Sequence, residues 1–334
     1  MTKFDVIIVG AGPAGSSCAW QLRRRGVKTL ILEKASFPRL KLCAGWITPE
    51  VVVDLEMDVA AYPHRFLTFD VTQIHLYGLT FKQRSPQHSI RRYEFDDWLL
   101  RRSGAPVVQH SVKRIAQRGD RFILDDTYEC AYLVGAGGTG CPVYRHLFRE
   151  ANPRSKLLQA VALEHELPCE WADGDCHLWF FEKGLPGYSW YVPKQDGYLN
   201  LGVGAIAERL KRKGQHIAAH WDNFVAGLRH RGLIPDSLGL RPQGYSYYLR
   251  DDVDTYRTGN AFLIGDAAGL ATRDLAEGIG PAVRSGILAA NAIADGGDYD
   301  LGMVPAFSLP SRMQQRTLEY LLLHRGAASP ASRV

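Results

Sequence analysis

Three glycines, a glutamate and one distant aspartate are the residues whose spacing most plainly implies chemistry. Gly10, Gly12 and Gly15 fall in "VGAGPAG", between an apolar strand-like run and a helix opened by Pro13. At that spacing the first glycine permits a tight turn and the second lets backbone approach a pyrophosphate. The third lets the helix pack close to the strand, while the helix N-terminus faces the phosphate charge. Glu33 closes the next strand run, 18 residues after Gly15, where a carboxylate holds a ribose hydroxyl pair. Ala14 within the motif and Lys34 beside Glu33 belong to the same binding set. Far downstream, "GNAFLIGDAAG" sets Gly265 and Asp266 at a strand end. An acid there suits the ribityl hydroxyls of a flavin. The following helix N-terminus, with Gly278 and Ile279, offers amides to the flavin N1/C2 carbonyl, where negative charge collects on reduction. NAD needs no second site so far along a chain, so these motifs, about 250 residues apart, read as FAD.

The elements that must position these residues follow from the apolar pattern. "FDVIIV" (4–9) and "KTLILE" (28–33) are buried-strand runs around a helix from Pro13 to about Arg25, a β-α-β start that predicts a parallel sheet. Residues 92–103 read as an amphipathic helix with Phe95, Trp98 and Leu99 on one face. Residues 106–126 read as a hairpin turning at "RGD", and 130–138 as a return to a buried strand. From about 156 the pattern changes to alternating strands, then a helical stretch at roughly 207–231, a strand at "GYSYYL", the strand at 260–266 and a long helix to about 294. In "GYSWYVPK", Tyr188, Trp190 and Val192 point to one face of a strand, and Ser189 and Tyr191 to the other.

The 334 residues allow one large domain or two smaller ones, and 46% hydrophobic with 22% charged residues is ordinary for a globular protein. A net charge of +5, with its cations in small separate clusters, suits anionic lipid or a diphosphate; nucleic-acid binding calls for a denser patch. Six cysteines without a regular framework imply a reducing compartment. No run of about 18 apolar residues exists to span a bilayer. The expectation is a cytoplasmic protein, able to lie against the cytoplasmic face of a membrane.

The flavin motifs resemble those of the p-hydroxybenzoate hydroxylase-like superfamily over nearly all of residues 3–295. Further features resemble one branch, the geranylgeranyl reductase family. "FPRLKLCAG" (37–45) is similar to that family's segment bearing a cysteine near the flavin, here Cys43 with Ala44. "RRYEFDDWL" fits R-x-x-F-D-x-x-L through Arg92, Phe95, Asp96 and Leu99, and "GYSWYVPK" resembles Y-x-W-x-F-P, with Val192 where the phenylalanine stands. The implied fold is α/β plus antiparallel β: a Rossmann-like FAD-binding domain from 1–65, 90–155 and 250–325, with an inserted substrate domain on an antiparallel sheet from 66–89 and 156–249. Residues 326–334 are expected to be a disordered tail.

The resemblance also implies an activity. Reduced flavin carries a hydride, and saturating an isolated C=C pairs its delivery with protonation of the other carbon while a long apolar chain is held dry. Tyr188 and Trp190 would line the pocket for that chain. Cys43 is a candidate proton donor, since an ordinary thiol stays mostly protonated at pH 7; a small apolar filler beside the cofactor is the other reading. Arg39 and Arg92 either contact phosphates or form structural ion pairs. Gly137 stands where the superfamily has an acid, in a region that serves the flavin and the visiting pyridine nucleotide. The electron donor is accordingly read as NAD(P)H or a ferredoxin-like partner protein. The chain ends about 55 residues beyond Gly280, so the far pocket wall is expected to be reduced or supplied by a partner. His216 and His220, spaced i, i+4 on the predicted helix, have no acidic companions, and no metal site is expected. The short basic helix at 316–325 reads as a docking helix or a membrane contact. Competing functions are a monooxygenase or halogenase on the same fold, and a non-catalytic flavin-binding or electron-relay subunit.

Overall fold

The computed structural model describes residues 1–252, 255–309 and 311–324; the tail expected at 326–334 lies outside the described residues. In chain order come β1 (Thr2–Val9), α1 (Pro13–Arg24), β2 (Thr29–Glu33), β3 (Trp46–Ile47), α2 (Pro49–Asp54), β4 (Leu67–Leu76), β5 (Leu79–Ser89) and α3 (Arg92–Ser103). Next are β6 (Val107–Gln109), β7 (Ile115–Arg118), β8 (Arg121–Leu124), β9 (Tyr128–Gly135), β10 (Gln159–Pro168), β11 (Cys176–Phe180), β12 (Gly187–Lys194) and β13 (Tyr198–Ile206). The chain closes with α4 (Ala207–Arg212), α5 (Ile217–His230), β14 (Gln243–Tyr248), β15 (Arg257–Thr258), β16 (Ala261–Leu263), α6 (Ile279–Asp295) and α7 (Arg312–Glu319).

Two sheets carry these elements. The first runs β15-β16-β9-β1-β2-β6, with the β7–β8 hairpin attached to β9; its central strands are parallel. Both of its faces are covered, as a parallel sheet requires. Ile7 and Val9 pack to one side with Leu133, Phe148 and Leu263, while Val6 and Ile8 pack to the other against α1 and α6. Helices α1 and α6 approach so closely that a Cβ on Gly286 would stand 2.3 Å from the Ala14 carbonyl oxygen. The second sheet runs β14-β10-β13-β12-β11-β4-β5-β3 and is antiparallel except where β11 meets β4. Its outer face packs on α5 through Tyr191, Leu201 and Phe224, and its inner face carries Leu178, Phe180, Trp190 and Val192.

Local differences from the sequence expectation have physical causes. Residues 107–109 are not half of a hairpin: β6 extends the parallel sheet beside β2, and His110 N continues the ladder to Glu33 O at 2.7 Å. The hairpin is β7–β8 alone. The expected single helix at 207–231 breaks at Gly214, whose φ of +62° is left-handed. His216 becomes the N-cap of α5 and is not a helical neighbour of His220, which bonds to Gln215. Trp46–Ile47, from the segment expected in the nucleotide domain, pairs with β5 of the second sheet. No helix among the described residues is long and apolar enough to cross a membrane.

Candidate active site

A cavity of about 800 Å³ lies between the two sheets. Its nucleotide end is built from the β1–α1 turn. Gly10 has φ +114°, a conformation side chains avoid, and a Cβ there would stand 2.4 Å from Ala136 O. A Cβ on Gly15 would stand 2.0 Å from Gly10 O. Gly12 differs: it is the N-cap of α1, no side chain caps the helix, and the nearest atom to a Cβ is Arg39 Nη2 at 3.6 Å. Gly12 thus leaves an open cradle at an uncapped helix N-terminus, which fits the pyrophosphate of a dinucleotide.

The rest of the nucleotide end follows from that turn. Glu33 is buried at the end of β2, where its Oε2 accepts from Ala11 N at 2.7 Å and its Oε1 from Ala35 N at 2.9 Å. The carboxylate ties the turn to the strand, and Glu33, Lys34, Arg39 and Ala14 all line the cavity. Gly137 lines it too; a Cβ there would press on Cys141 Cα at 3.1 Å. Arg92 is committed to a bidentate, buried pair with Asp96 at 2.6 and 2.7 Å, and Arg39 reaches the same carboxylate at 3.4 Å. Of the two readings for these arginines, an ion pair is therefore present for both, and both also face the cavity.

The other end gathers Asp266, Gly278 and Ile279 on the wall. Gly265 lies behind it with φ +57°, its amide donating to Ser285 Oγ, and a Cβ there would be 3.0 Å from the Ala14 Cβ. Gly278 N-caps α6 without a side-chain cap of its own, although Glu277 Oε1 takes the Gly280 amide at 2.6 Å. Asp266 accepts from Tyr245 OH at 3.0 Å, and the Lys41 ammonium sits 3.0 Å from the centre of the Tyr245 ring. Burial pushes Lys41 down to about 8, against the pull of Asp266.

The second sheet supplies the remaining wall. Tyr188 and Trp190 face the cavity, as their alternation on β12 requires, and Ser189 and Tyr191 face away. Tyr188 OH donates to Leu275 O at 2.5 Å. Trp190 Nε1 donates to Asn200 Oδ1 at 2.8 Å, and its indole lies over Gly202, where a Cβ would stand only 2.1 Å from Cζ2. Cys43 and Ala44 line the same cavity; Cys43 forms no disulfide, and its side chain bonds to Arg92.

Beneath Cys43 lies a polar group that sequence reasoning did not single out. Glu164 Oε1 accepts from Cys43 N at 2.6 Å, Asn200 Nδ2 donates to Cys43 O at 3.2 Å, and the fully buried Lys194 ammonium bonds the backbone nearby. One signal was available for Glu164: by strand alternation it shares the cavity face with Ala160 and Ala162. Lys41 and Tyr245 were also missed, and only the packed fold brings them to Asp266. Among the described residues no cluster of three His, Cys, Asp or Glu side chains could hold a metal ion.

Burial raises the Glu164 carboxyl to about 7; Glu166 adds to the rise, while the Cys43 amide, Lys194 and Asn200 resist it. A carboxyl with a folded pKa above its ordinary 4.5 gives its full stability below the unfolded pKa and loses it as pH rises through the folded one. The unfolding free energy should therefore fall between about pH 4.5 and 7, by on the order of 3 kcal/mol from this group. Denaturant titrations across that range should show the fall flattened in Glu164→Gln.

The chain is similar to known proteins over most of its length. Residues 8–69 match the NAD(P)-binding Rossmann-like domain family. The menaquinone reductase of Mycolicibacterium smegmatis is 30% identical, over 90% of this chain and 78% of its own length. A geranylgeranyl diphosphate reductase of Rhodobacter capsulatus is 24% identical, over 87% of this chain and 75% of its own. The solved structure of a geranylgeranyl bacteriochlorophyll reductase-like protein from Thermoplasma acidophilum shares the fold at a TM-score of 0.74, with 18% identity, 96% of this chain and 83% of that one covered. A dinucleotide cradle at one end of the cavity, a flavin-type acid and helix N-terminus at the other, and relatives that are reductases of this fold agree: the chain belongs to the geranylgeranyl reductase family of FAD-dependent oxidoreductases.

Proposed function

We propose that the enzyme saturates C=C bonds of a polyprenyl group carried by a lipid, quinone or diphosphate. The observation that supports this most is the inner face of the second sheet. Strand register aligns two apolar rows across four strands: Leu79–Leu76–Phe180–Tyr188 and Phe81–Ile74–Leu178–Trp190. Each row begins at the solvent, with Leu79 62% and Phe81 50% exposed, and ends in the cavity wall. A bound dinucleotide would fill much of the cavity, and the apolar rows offer a long substrate an apolar direction out of it, although their middle residues Leu178 and Phe180 are packed in a cluster with Leu275 and Leu318. The names of the relatives, reductases of menaquinone and of geranylgeranyl diphosphate, agree with that substrate class.

FAD, when bound and reduced, supplies the hydride. The chain's own residues keep the apolar chain aligned and dry along Tyr188 and Trp190, and a proton reaches the second carbon from an acid on the wall, with Cys43 as the candidate. The electron donor is NAD(P)H or a ferredoxin-like protein. The exposed ends of the rows, next to the exposed Lys82 and Arg84 on β5, suit peripheral contact with an anionic lipid surface from the cytoplasm.

The test is anaerobic. The flavin is reduced with dithionite and reoxidation is followed after adding geranylgeranyl diphosphate or a prenylated quinone, with products weighed by mass spectrometry. Reoxidation with a gain of two hydrogens per bond is expected. A flavin that stays reduced until air enters, followed by a hydroxylated or halogenated product, overturns the reading. With the quinone in anionic vesicles, Leu79→Asp/Phe81→Asp should slow reoxidation at least tenfold while leaving it unchanged for a short-chain soluble substrate.

A further inference from the structure

The Lys194 side chain is fully buried at the end of β12. An ammonium has three N–H donors, and here all three are spent on backbone carbonyls: Ala44 O at 2.5 Å, Gly45 O, and Ile90 O at 2.8 Å. Gly45 is shaped around it. Its φ is +69°, and a Cβ there would stand 2.7 Å from Lys194 Nζ and 2.5 Å from Ile90 O. Two neighbouring strands hold the backbone of Cys43, two residues earlier, Glu164 from β10 accepting from Cys43 N and Asn200 from β13 donating to Cys43 O. Asn200 also accepts from the indole of Trp190, so a hydrogen-bonded path joins the cavity wall on β12 to the Cys43 backbone.

A buried, desolvated lysine is costly, and an apolar side chain of similar volume is often at least as stabilising. What the ammonium supplies, and an apolar residue cannot, is direction. We propose that Lys194 is a positioning residue for Cys43. With Glu164 and Asn200 it fixes the backbone of residues 43–45 on the cavity wall, and so sets where the thiol stands against the contents of the cavity. The backbone around Cys43 is thus held by side chains of the second sheet, while Arg92 of α3 bonds the Cys43 side chain. This inference concerns the wall alone and survives if the polyprenyl reading fails.

The test uses the flavin-loaded protein without substrate. The rate of alkylation at Cys43 by iodoacetamide is read by peptide mass spectrometry, with Cys43→Ser as the blank and buried Cys18 and Cys176 as internal references. In Lys194→Met the Cys43 rate should rise at least tenfold while Cys18 and Cys176 stay protected, and the flavin absorption spectrum should shift. A folded, flavin-loaded Lys194→Met with the parent rate at Cys43 overturns the proposal. So does a parallel rise at Cys18 and Cys176, which reports general loosening. If Lys194→Met does not fold, Asn200→Ala decides: it removes one donor to Cys43 O and should raise the Cys43 rate several-fold, and an unchanged rate overturns the proposal.

Discussion

A Gly15→Ala protein should purify without its yellow colour. The added methyl would lie 2.0 Å from the Gly10 carbonyl oxygen, and that oxygen belongs to backbone, which has no rotamer to change. Gly10 is itself locked, since a Cβ there meets Ala136 O at 2.4 Å. Turn, helix and β9 therefore interlock, and the helix must lift away from the turn to admit one carbon. Lifting it removes the amides of α1 from the pyrophosphate position. Flavin affinity should fall more than a hundredfold, read as the ratio of flavin to protein absorbance after gel filtration and by titration of the apoprotein. Gly26→Ala is the control for backbone strain alone. Gly26 has φ +75° with no atom near a Cβ, so that variant should cost about 1 kcal/mol and stay yellow.

The opposite separation is expected of Gly202→Ala: flavin retained, substrate reduction lost. The Trp190 indole rests directly on Gly202, and a Cβ would stand 2.1 Å from Cζ2 and 2.3 Å from Cε2. The ring must swing into the cavity or out of the wall, and either movement breaks its bond to Asn200 Oδ1. None of the nucleotide-end contacts involves β13, so flavin content should remain that of the parent. Anaerobic reoxidation by the proposed prenyl substrate should slow by about two orders of magnitude, comparable to misplacing a substrate-aligning wall by an ångström. Gly204→Ala, where a Cβ stands 3.3 Å from the indole Cζ3, should be much milder. Equal losses from both variants, or none from Gly202→Ala, would show that the Trp190 position is immaterial to the reaction.

The nucleotide end was legible because each of its requirements is local. Gly10, Gly12 and Gly15 answer to a single turn, and Glu33 to the strand beside it. The two faces of β12 were equally legible, since alternation separates Tyr188 and Trp190 from Ser189 and Tyr191 whatever lies above them. Residues 107–109 were misplaced because a three-residue parallel strand has no periodicity of its own; its partner β2 is set by the sheet. Glu164, Asn200 and Lys194 were hidden for a different reason. They lie on three strands, and only the register of β10, β13 and β12 brings them under Cys43. A lone acid, amide or lysine in a strand reads as solvated until a segment about 120 to 160 residues earlier is laid across it.

The strand order of the first sheet has a consequence for synthesis. β9, from residues 128–135, lies between β1 and β16, and β16 comes from residues 261–263. Five strands of the second sheet, β10 to β14, intervene in the chain. A nascent polypeptide emerging from the ribosome therefore exposes one open edge of β9, with apolar Leu133 and Val134, until more than a hundred further residues have been made. Such non-local closure is slow and prone to mispairing. The antiparallel sheet can form as a local unit in that interval, and the late strand, which ends just before Asp266, then closes the early one. On this order Asp266 and the N-terminus of α6 reach the cavity only after the nucleotide turn of β1 and α1 has been made.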